Sequence, residues 1–337
     1  MTVCTIGVVV AAYNADRWIE ASLASLQTQS LVDWECIVVD DGSTDRTAAL
    51  AEAAAAREPR MRVIRQANGG VAAARNRGLA ALSPRIRLVA FLDSDDVYEP
   101  TGLADLLAHL RDRPDAVGVF GLAEYVDDSG RPVAPGLHPA RQLDRRVPRG
   151  GRLRPLPRLA DSTFDDLVVY GPIWPSAVAL LCRDAVTEVG AFDPSLEQRE
   201  DWDLHLRMSR LGPFAPMDRV VARYRRHDQN LTGRAVSGQH HTERVIAKVW
   251  DSPDSTPEQL RMLRTAQSWR RAGELRQAMA TARRALRARR WRSAGLALLA
   301  GAWLGATIVR GGPTTSSPRR IRWSLGGCDQ EWSAVPS

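Results

Sequence analysis

The sequence predicts an α/β fold, with a mostly parallel central sheet, helices on both faces and a small C-terminal helical extension. Three observations predict it. Short apolar runs rich in β-branched residues alternate with helix-patterned segments through the first hundred residues. Polar or glycine-rich clusters follow each run, where strand-to-helix turns belong. The composition then shifts. Residues 257–337 hold 15 arginines and 4 acidic residues, and residues 1–256 carry 31 basic and 35 acidic groups, so the net charge of +7 belongs to the tail.

Each element has a local reason. Residues 6–10 read as a buried first strand, and Asn14 or Asp16 is placed to cap a helix showing Ile19, Leu23 and Leu26 on one face. A second strand over 35–39 leads to an alanine-rich helix over 47–56, and a third strand covers 61–64. Asn68-Gly69-Gly70 turns the chain into a helix through Arg75 to 82. A fourth strand, 89–92, ends at Asp93, and Glu99-Pro100 opens a helix to 110. Units of this length imply parallel strands joined by crossovers.

The middle is less regular. Strands are expected over 117–125, 178–182 and 217–225, with helices over 183–189, closed by Gly190, and over 200–208. Residues 128–160, rich in Pro, Gly and Arg, read as a loop or lid. Helix continues over 235–256, and a helical pair broken near Gly273 follows. The apolar run 293–309, flanked by Arg292 and Arg310, is shorter than the roughly 20 residues of a membrane span and reads as a buried or interfacial helix. Residues 311–337 read as poorly ordered.

Several classes are excluded. Cys4, Cys36, Cys182 and Cys328 are scattered with no CxxC pair, which argues against a disulfide scaffold or zinc knuckle. AAYNAD follows the first strand in place of GxGxxG, and GxxxxGK[ST] and EF-hand spacings are absent. The opening residues lack a basic n-region, so a cytoplasmic location is the default expectation. The arginine-rich tail suits anionic lipid, with a solvated face as the bland reading. It lacks the interleaved aromatics of a nucleic-acid module, and no nucleic acid is expected as partner.

Four clusters lie at the carboxyl ends of predicted strands, the edge where open α/β sheets bind ligands. They are Ala12-Tyr13-Asn14, Asp40-Asp41-Gly42-Ser43, Asn68-Gly69-Gly70 through Arg75, and Asp93-Ser94-Asp95-Asp96. An Asp-Gly-Ser turn or a Gly-Gly cap alone is ordinary. Three carboxylates within four residues are harder to dismiss, because they stay ionised most easily around a hard cation such as Mg²⁺ or Mn²⁺.

The motifs VVVAAYN (8–14), CIVVDDGSTDRT (36–47), NGGVAAARNRG (68–78), FLDSDD (91–96), FDPSLEQREDWDLHLR (192–207) and YRRHDQN (224–230) occur in this order over residues 3–232. Together they resemble a family 2 glycosyltransferase of the GT-A nucleotide-diphospho-sugar transferase fold. The resemblance implies a nucleoside diphosphate sugar donor, Mn²⁺ or Mg²⁺, and transfer with inversion to a saccharide or lipid-linked saccharide acceptor. It implies that Ala12, Tyr13 and Asn14 pack against the nucleotide, and that Asp41, with Asp40 beside it, accepts from the base. Arg75 would steady the nucleotide and its phosphates. Asp93 would contact ribose or metal-bound water, Asp95 the metal, and His227 the metal or diphosphate; Asp93, Asp95 and His227 form the expected metal set, supported by Asp96. Asp201 matches the catalytic base, with Glu200 as its rival. Ala11-Ala12 departs from the commoner Pro-Ala or Pro-Thr.

On this reading residues 1–235 form the catalytic domain, 1–115 binding donor and 116–235 acceptor. Residues 236–310 form the extension and 311–337 a poorly ordered tail, and peripheral contact with anionic membrane is expected through the basic C-terminal region from residue 257 with its apolar run 293–309. Residues 128–175, with the aromatic-proline segment 170–175, line the acceptor groove, where Trp174 either stacks on a sugar or belongs to the core. A binding protein that keeps the fold without turnover is the alternative, opposed by the presence of Asp93, Asp95 and Asp201.

Overall fold

The first apolar run forms β1 (Ile6–Ala12), buried along nearly its whole length, as a central parallel strand requires. The computed structural model describes residues 6–133, 143–169, 171–230 and 235–287. They form two compact units, Met1–Arg145 with Pro155–Gly233, and Arg146–Arg154 with Arg234–Ser337.

In the first unit α1 (Ile19–Gln27), β2 (Trp34–Asp40), α2 (Thr47–Ala55), β3 (Met61–Arg65), α3 (Val71–Ala81) and β4 (Leu88–Asp93) follow the expected alternation. A two-residue strand, β5 (Val97–Tyr98), precedes α4 (Gly102–Arg111) and β6 (Gly118–Val126). The hairpin strands β7 (Arg146–Arg149) and β8 (Arg152–Pro155) come next in the chain. Then follow α5 (Phe164–Leu167), β9 (Ala179–Cys182), α6 (Arg183–Glu188), α7 (Glu200–Met208) and β10 (Phe214–Arg225).

The eight-stranded sheet has the order β3-β2-β1-β4-β9-β6-β10-β5. Pairs β3-β2, β2-β1, β1-β4 and β6-β10 are parallel, while β9 runs antiparallel to both β4 and β6, and β5 is antiparallel to β10. The chain leaves β1 toward β2 on one side and returns as β4 on the other. The crevice at the ends of β1 and β4 is therefore the switch point where such sheets take ligands. Helix α3 lies close against β1 and β2. A Cβ on Gly78 would come within 2.3 Å of Val9 Cγ1, so only glycine permits this approach.

Three local expectations are corrected here. Helix α1 starts after Trp18 without a side-chain cap, because the Asn14 side-chain oxygen accepts from Thr44 N and the Asp16 carboxylate from Arg46 Nε instead. Strand β10 starts at Phe214, three residues before the expected 217. Residues 128–160 are not one loop. Gly150 and Gly151, both at positive φ, turn the chain between β7 and β8. The hairpin's neck is closed by the Leu156 N–H to Arg145 O bond at 2.9 Å. Arg145, fully buried, orders the return segment by donating to Ser162 Oγ at 2.6 Å and to the carbonyls of Arg158 and Ala160.

In the second unit, α8 (Ala235–Asp251) and α9 (Pro257–Arg287) accompany the hairpin. Gly273 does not break α9, which is one helix of 31 residues. A single glycine costs only about 1 kcal/mol against alanine, and the surrounding Ala, Arg, Leu and Gln are strong helix formers. The expected apolar helix 293–309 and the tail 311–337 lie outside the described residues. Among the described residues, no helix is long and apolar enough to cross a membrane.

Candidate active site

Register brings the first residues of the site together. Ala12 pairs with Asp40, and Ala11 pairs with Asp93, so the ends of β2, β1 and β4 lie side by side. Asp41 follows immediately and is spent on its own loops. Its Oδ1 accepts from Gly69 N and Gln66 Nε2, and its Oδ2 from Gly70 N, all at 2.8 Å. This ties the end of β2 to the start of α3. Asp40 differs: it is buried, and neither of its carboxylate oxygens has a hydrogen-bond partner. The nearest cation is Arg65 Nε, 3.8 Å away.

Asn14, at φ 49°, accepts from Thr44 N at 2.9 Å, which fastens the first strand-to-helix loop to the second. Ala12 is buried beneath that loop, and Tyr13 is 51% exposed.

Held by Asp41 at its start, α3 carries Arg75 into the crevice. Arg75 Nη2 donates to Asp93 Oδ1 at 2.6 Å and Nη1 to Glu200 Oε1 at 2.7 Å. One buried guanidinium thus joins the end of β4 to the first turn of α7. Burial works against its charge, but Asp93, Glu200 and Asp201 more than offset that, and its pKa is raised. Burial also raises Asp93, with Asp95 and Asp201 acting in the same direction against the pull of Arg75. Glu200 is lifted to about 7 by burial, against Arg75 and with Asp201 and Asp93.

Asp201 is half-buried beside this clamp, and its Oδ1 accepts from Trp202 N at 2.7 Å. Arg199 precedes the helix at φ 66°, a left-handed residue that turns the chain sharply into α7. One turn on, His205 is buried edge-on against Phe214 with its Nδ1 unpartnered. Burial holds its pKa down to about 4, while Asp201 pulls it the other way.

The remaining acids of the β4 loop meet the segment after β10. His227 Nε2 lies 2.9 Å from Asp95 Oδ2, and Asn230 Nδ2 donates to the same oxygen at 3.3 Å. His227 Nδ1 accepts from Gln229 N, which assigns the ring proton to Nε2. Trp18 stacks on the imidazole at 3.9 Å. Asp96 is fully buried: Oδ1 accepts from Arg225 N at 2.9 Å and Oδ2 is unpartnered. Burial, then Asp95 and Asp93, push its pKa well up. Arg225 also donates to Asp95 O and Asp128 O, binding both loops to the end of β10.

Of the expected metal set, Asp95 and His227 converge, and Asp93 is engaged by Arg75 instead. Among the described residues no group of three or more His, Cys, Asp or Glu side chains is placed to hold a metal. One carboxylate and one imidazole still fit a hard divalent cation that takes its other ligands from diphosphate and water. Ligation through Nε2 would place the ring proton on Nδ1 and give up the Gln229 N–H bond there.

Trp18, Arg225 and Asn230 were missed by the sequence reading. Arg225 and Asn230 lie inside YRRHDQN and could have been taken with His227, whereas Trp18 carries no local signal. Trp174 is half-buried between Tyr125 and Tyr224, with ring centroids 5.9 and 4.3 Å away. Tyr170 lies outside the described residues.

The model for "Glycosyl transferase family 2" matches residues 7–158. The putative glycosyltransferase EpsH of Bacillus subtilis is 37% identical over 126 residues, covering 37% of this chain and 36% of EpsH. The putative teichuronic acid biosynthesis glycosyltransferase TuaG of the same organism is 34% identical over 139 residues, 41% of this chain and 54% of TuaG. The matches thus span well under two thirds of those relatives' lengths. Among solved structures, the mannosyltransferase PcManGT from Pyrobaculum calidifontis, in complex with GDP-Man and Mn²⁺, superposes with a TM-score of 0.58 at 17% identity. That superposition covers 91% of this chain and 79% of the other.

Proposed function

We propose that the chain is a metal-dependent, inverting glycosyltransferase of family 2, a reading supported by the match of that family's model to residues 7–158 and by the likeness of the fold to a solved GT-A mannosyltransferase. It moves a sugar from a nucleoside diphosphate to an acceptor hydroxyl. The setting is polysaccharide or glycolipid assembly in the cytoplasm, with the basic tail against anionic lipid at the inner face of the membrane. The observation that carries the reading is the Arg75 bridge, 2.6 Å to Asp93 and 2.7 Å to Glu200. It joins the acidic strand end to the helix that bears Asp201.

The roles divide by what each side chain has left to offer. Asp40 keeps both carboxylate oxygens unpartnered at the nucleotide edge, so it is the better acceptor for a base N–H. Asp41 holds the loop that starts α3. Asp95 and His227 would hold Mn²⁺ or Mg²⁺, which when bound offsets the charge developing on the diphosphate leaving group. Arg75 is committed to Asp93 and Glu200 and fixes the distance between donor edge and base.

Asp201 takes the acceptor proton. Glu200 is occupied by Arg75 and positions the helix start, while Asp201 has no cationic partner to compete with the acceptor hydroxyl.

A panel of nucleotide sugars with Mn²⁺ or Mg²⁺ tests the reading, scored for transfer or donor hydrolysis, with the anomer of the product read by NMR. Transfer that needs the metal and inverts the anomeric centre is expected. Full activity in excess EDTA would remove the metal, and a retained anomer would remove the single displacement. Nucleotide binding with no turnover on any donor would favour the binding-protein alternative.

A further inference from the structure

The second unit contains a cationic cleft that the site above does not use. It has a volume of about 500 Å³ and lies between the β7–β8 hairpin and α9. Arg146 and Arg152 from the hairpin meet Arg264, Thr265, Ser268 and Trp269 from α9. Among the described residues, none of these three arginines has a carboxylate partner. In the first unit some exposed arginines are paired, for example Arg46 with Asp16, Arg158 with Asp218 and Arg223 with Glu99, and others, such as Arg57, Arg77 and Arg85, stand apart from one another on the surface without a carboxylate partner among the described residues. Hairpin and helix together, residues 146–155 and 257–287, hold twelve arginines and two acidic residues.

Unpaired guanidiniums gathered in a concavity repel one another, and the arrangement is relieved when an anion enters. The helix extends the feature. Arg276, Arg283 and Arg287 are exposed, and at 100° per residue they fall on the same side of α9 as the cleft. From Arg264 to Arg287 the helix rises roughly 35 Å. A length of that order suits a chain with repeated charges better than a single phosphate.

We propose that this cleft and arginine strip bind the acceptor, and that the acceptor is a linear glycan carrying negative charges at intervals. The proposal rests on the glycosyltransferase reading and names that reaction's acceptor class. Trp269, 40% exposed, offers a face for a sugar ring, and the Thr265 and Ser268 hydroxyls offer partners to sugar hydroxyls. A single aromatic does not make the stacking platform of a single-strand nucleic-acid site. The cleft is concave, and Trp269 and Met279 are the large exposed hydrophobics on the described part of α9, too few for the apolar face of an interfacial helix.

The test uses the full chain and four probes: polygalacturonate, neutral dextran of equal length, oligo(dT), and phosphatidylglycerol vesicles. Binding is measured by calorimetry at two salt concentrations. Polygalacturonate should bind and weaken with salt, and dextran should not bind. R146S/R152S/R264S should weaken polygalacturonate at least tenfold, and the corresponding triple Lys variant should recover much of that loss. R264E alone, on an exposed helix surface, should weaken it severalfold and serves if the triple variant fails to fold. Equal polygalacturonate binding by the folded serine or glutamate variant overturns the proposal. So does tighter binding of oligo(dT) than of polygalacturonate, or vesicle binding that falls more than polygalacturonate binding in the serine variant. Nucleoside diphosphate binding by the unmodified chain is measured in parallel. Its absence would count against the glycosyltransferase reading, whereas its presence without polygalacturonate binding would count against this inference alone.

Discussion

Asp40 and Asp41 are neighbours with different chemical standing, and the difference comes from what each touches. Asp41 satisfies three donors that start α3, so Asp41→Ala should cost roughly 2–3 kcal/mol in urea unfolding, the scale of hydrogen bonds to a charged group. Asp40→Asn alters a buried carboxylate without a hydrogen-bond partner and should leave stability level or higher while changing preference among UDP, GDP and dTDP donors. If D41A keeps its stability, or D40N leaves base preference untouched, this division fails. The same logic separates the two α7 carboxylates. D201N should lower kcat by about 10²–10⁴, the usual contribution of a general base, with donor Kd within about threefold. E200Q loses a partner of Arg75 and should show the milder effect on kcat with a clearer loss of stability. Near-normal transfer by D201N with loss in E200Q would reverse the assignment. The order of the motifs was legible because each is contiguous. Which carboxylate of an adjacent pair remains free was not, because Gly69, Gly70 and Arg75 are brought up from elsewhere in the chain.

Elements place those residues through close approach. Helix α3 reaches the sheet only because position 78 lacks a Cβ, so Gly78→Ala should destabilise by about 1–3 kcal/mol, the usual cost of overpacking. An unchanged melting temperature would show that α3 can move away without loss. Helix α7 carries two groups with opposite pH linkage. His205, held down to about 4 from 6.5, stays neutral in the folded chain while the unfolded chain takes up a proton, so its contribution to stability is lost as pH falls from about 6.5 to about 4. Glu200, lifted to about 7 from 4.5, keeps its proton in the folded chain, so its contribution is lost as pH rises from about 4.5 to about 7. The two oppose each other where the windows overlap. H205L should therefore lose stability as pH rises through the Glu200 window, and E200Q as pH falls through the His205 window. Urea midpoints across pH 4–8 test this, and parallel profiles for both variants and the parent would refute it. Strand and helix positions along these elements were legible from apolar periodicity. Gly273 misled because a glycine in a run of strong helix formers is tolerated, and the hairpin was hidden in a Pro, Gly and Arg-rich stretch.

At the scale of the molecule, two compact units divide the charge as they divide the chain. The first unit pairs many of its arginines with carboxylates, and the second gathers Arg146, Arg152 and Arg264 in one cleft without a carboxylate partner among the described residues. Raising salt should therefore weaken polygalacturonate binding far more than nucleoside diphosphate binding, because exposed, unpaired charges are screened most strongly. Equal salt sensitivity in calorimetry would count against the division. The amino-acid sequence by itself determined the α/β alternation, the carboxyl-edge position of the four polar clusters and the basic composition of the tail. Those properties reside in short windows, where periodicity and composition are enough. Tertiary structure alone decided that Arg75 spans Asp93 and Glu200, that His227 meets Asp95 under Trp18, and that hairpin arginines face those of α9. Such contacts join residues from 18 to 209 positions apart in the chain. Their partners are set by sheet register and helix packing, which depend on the whole chain and not on any local window.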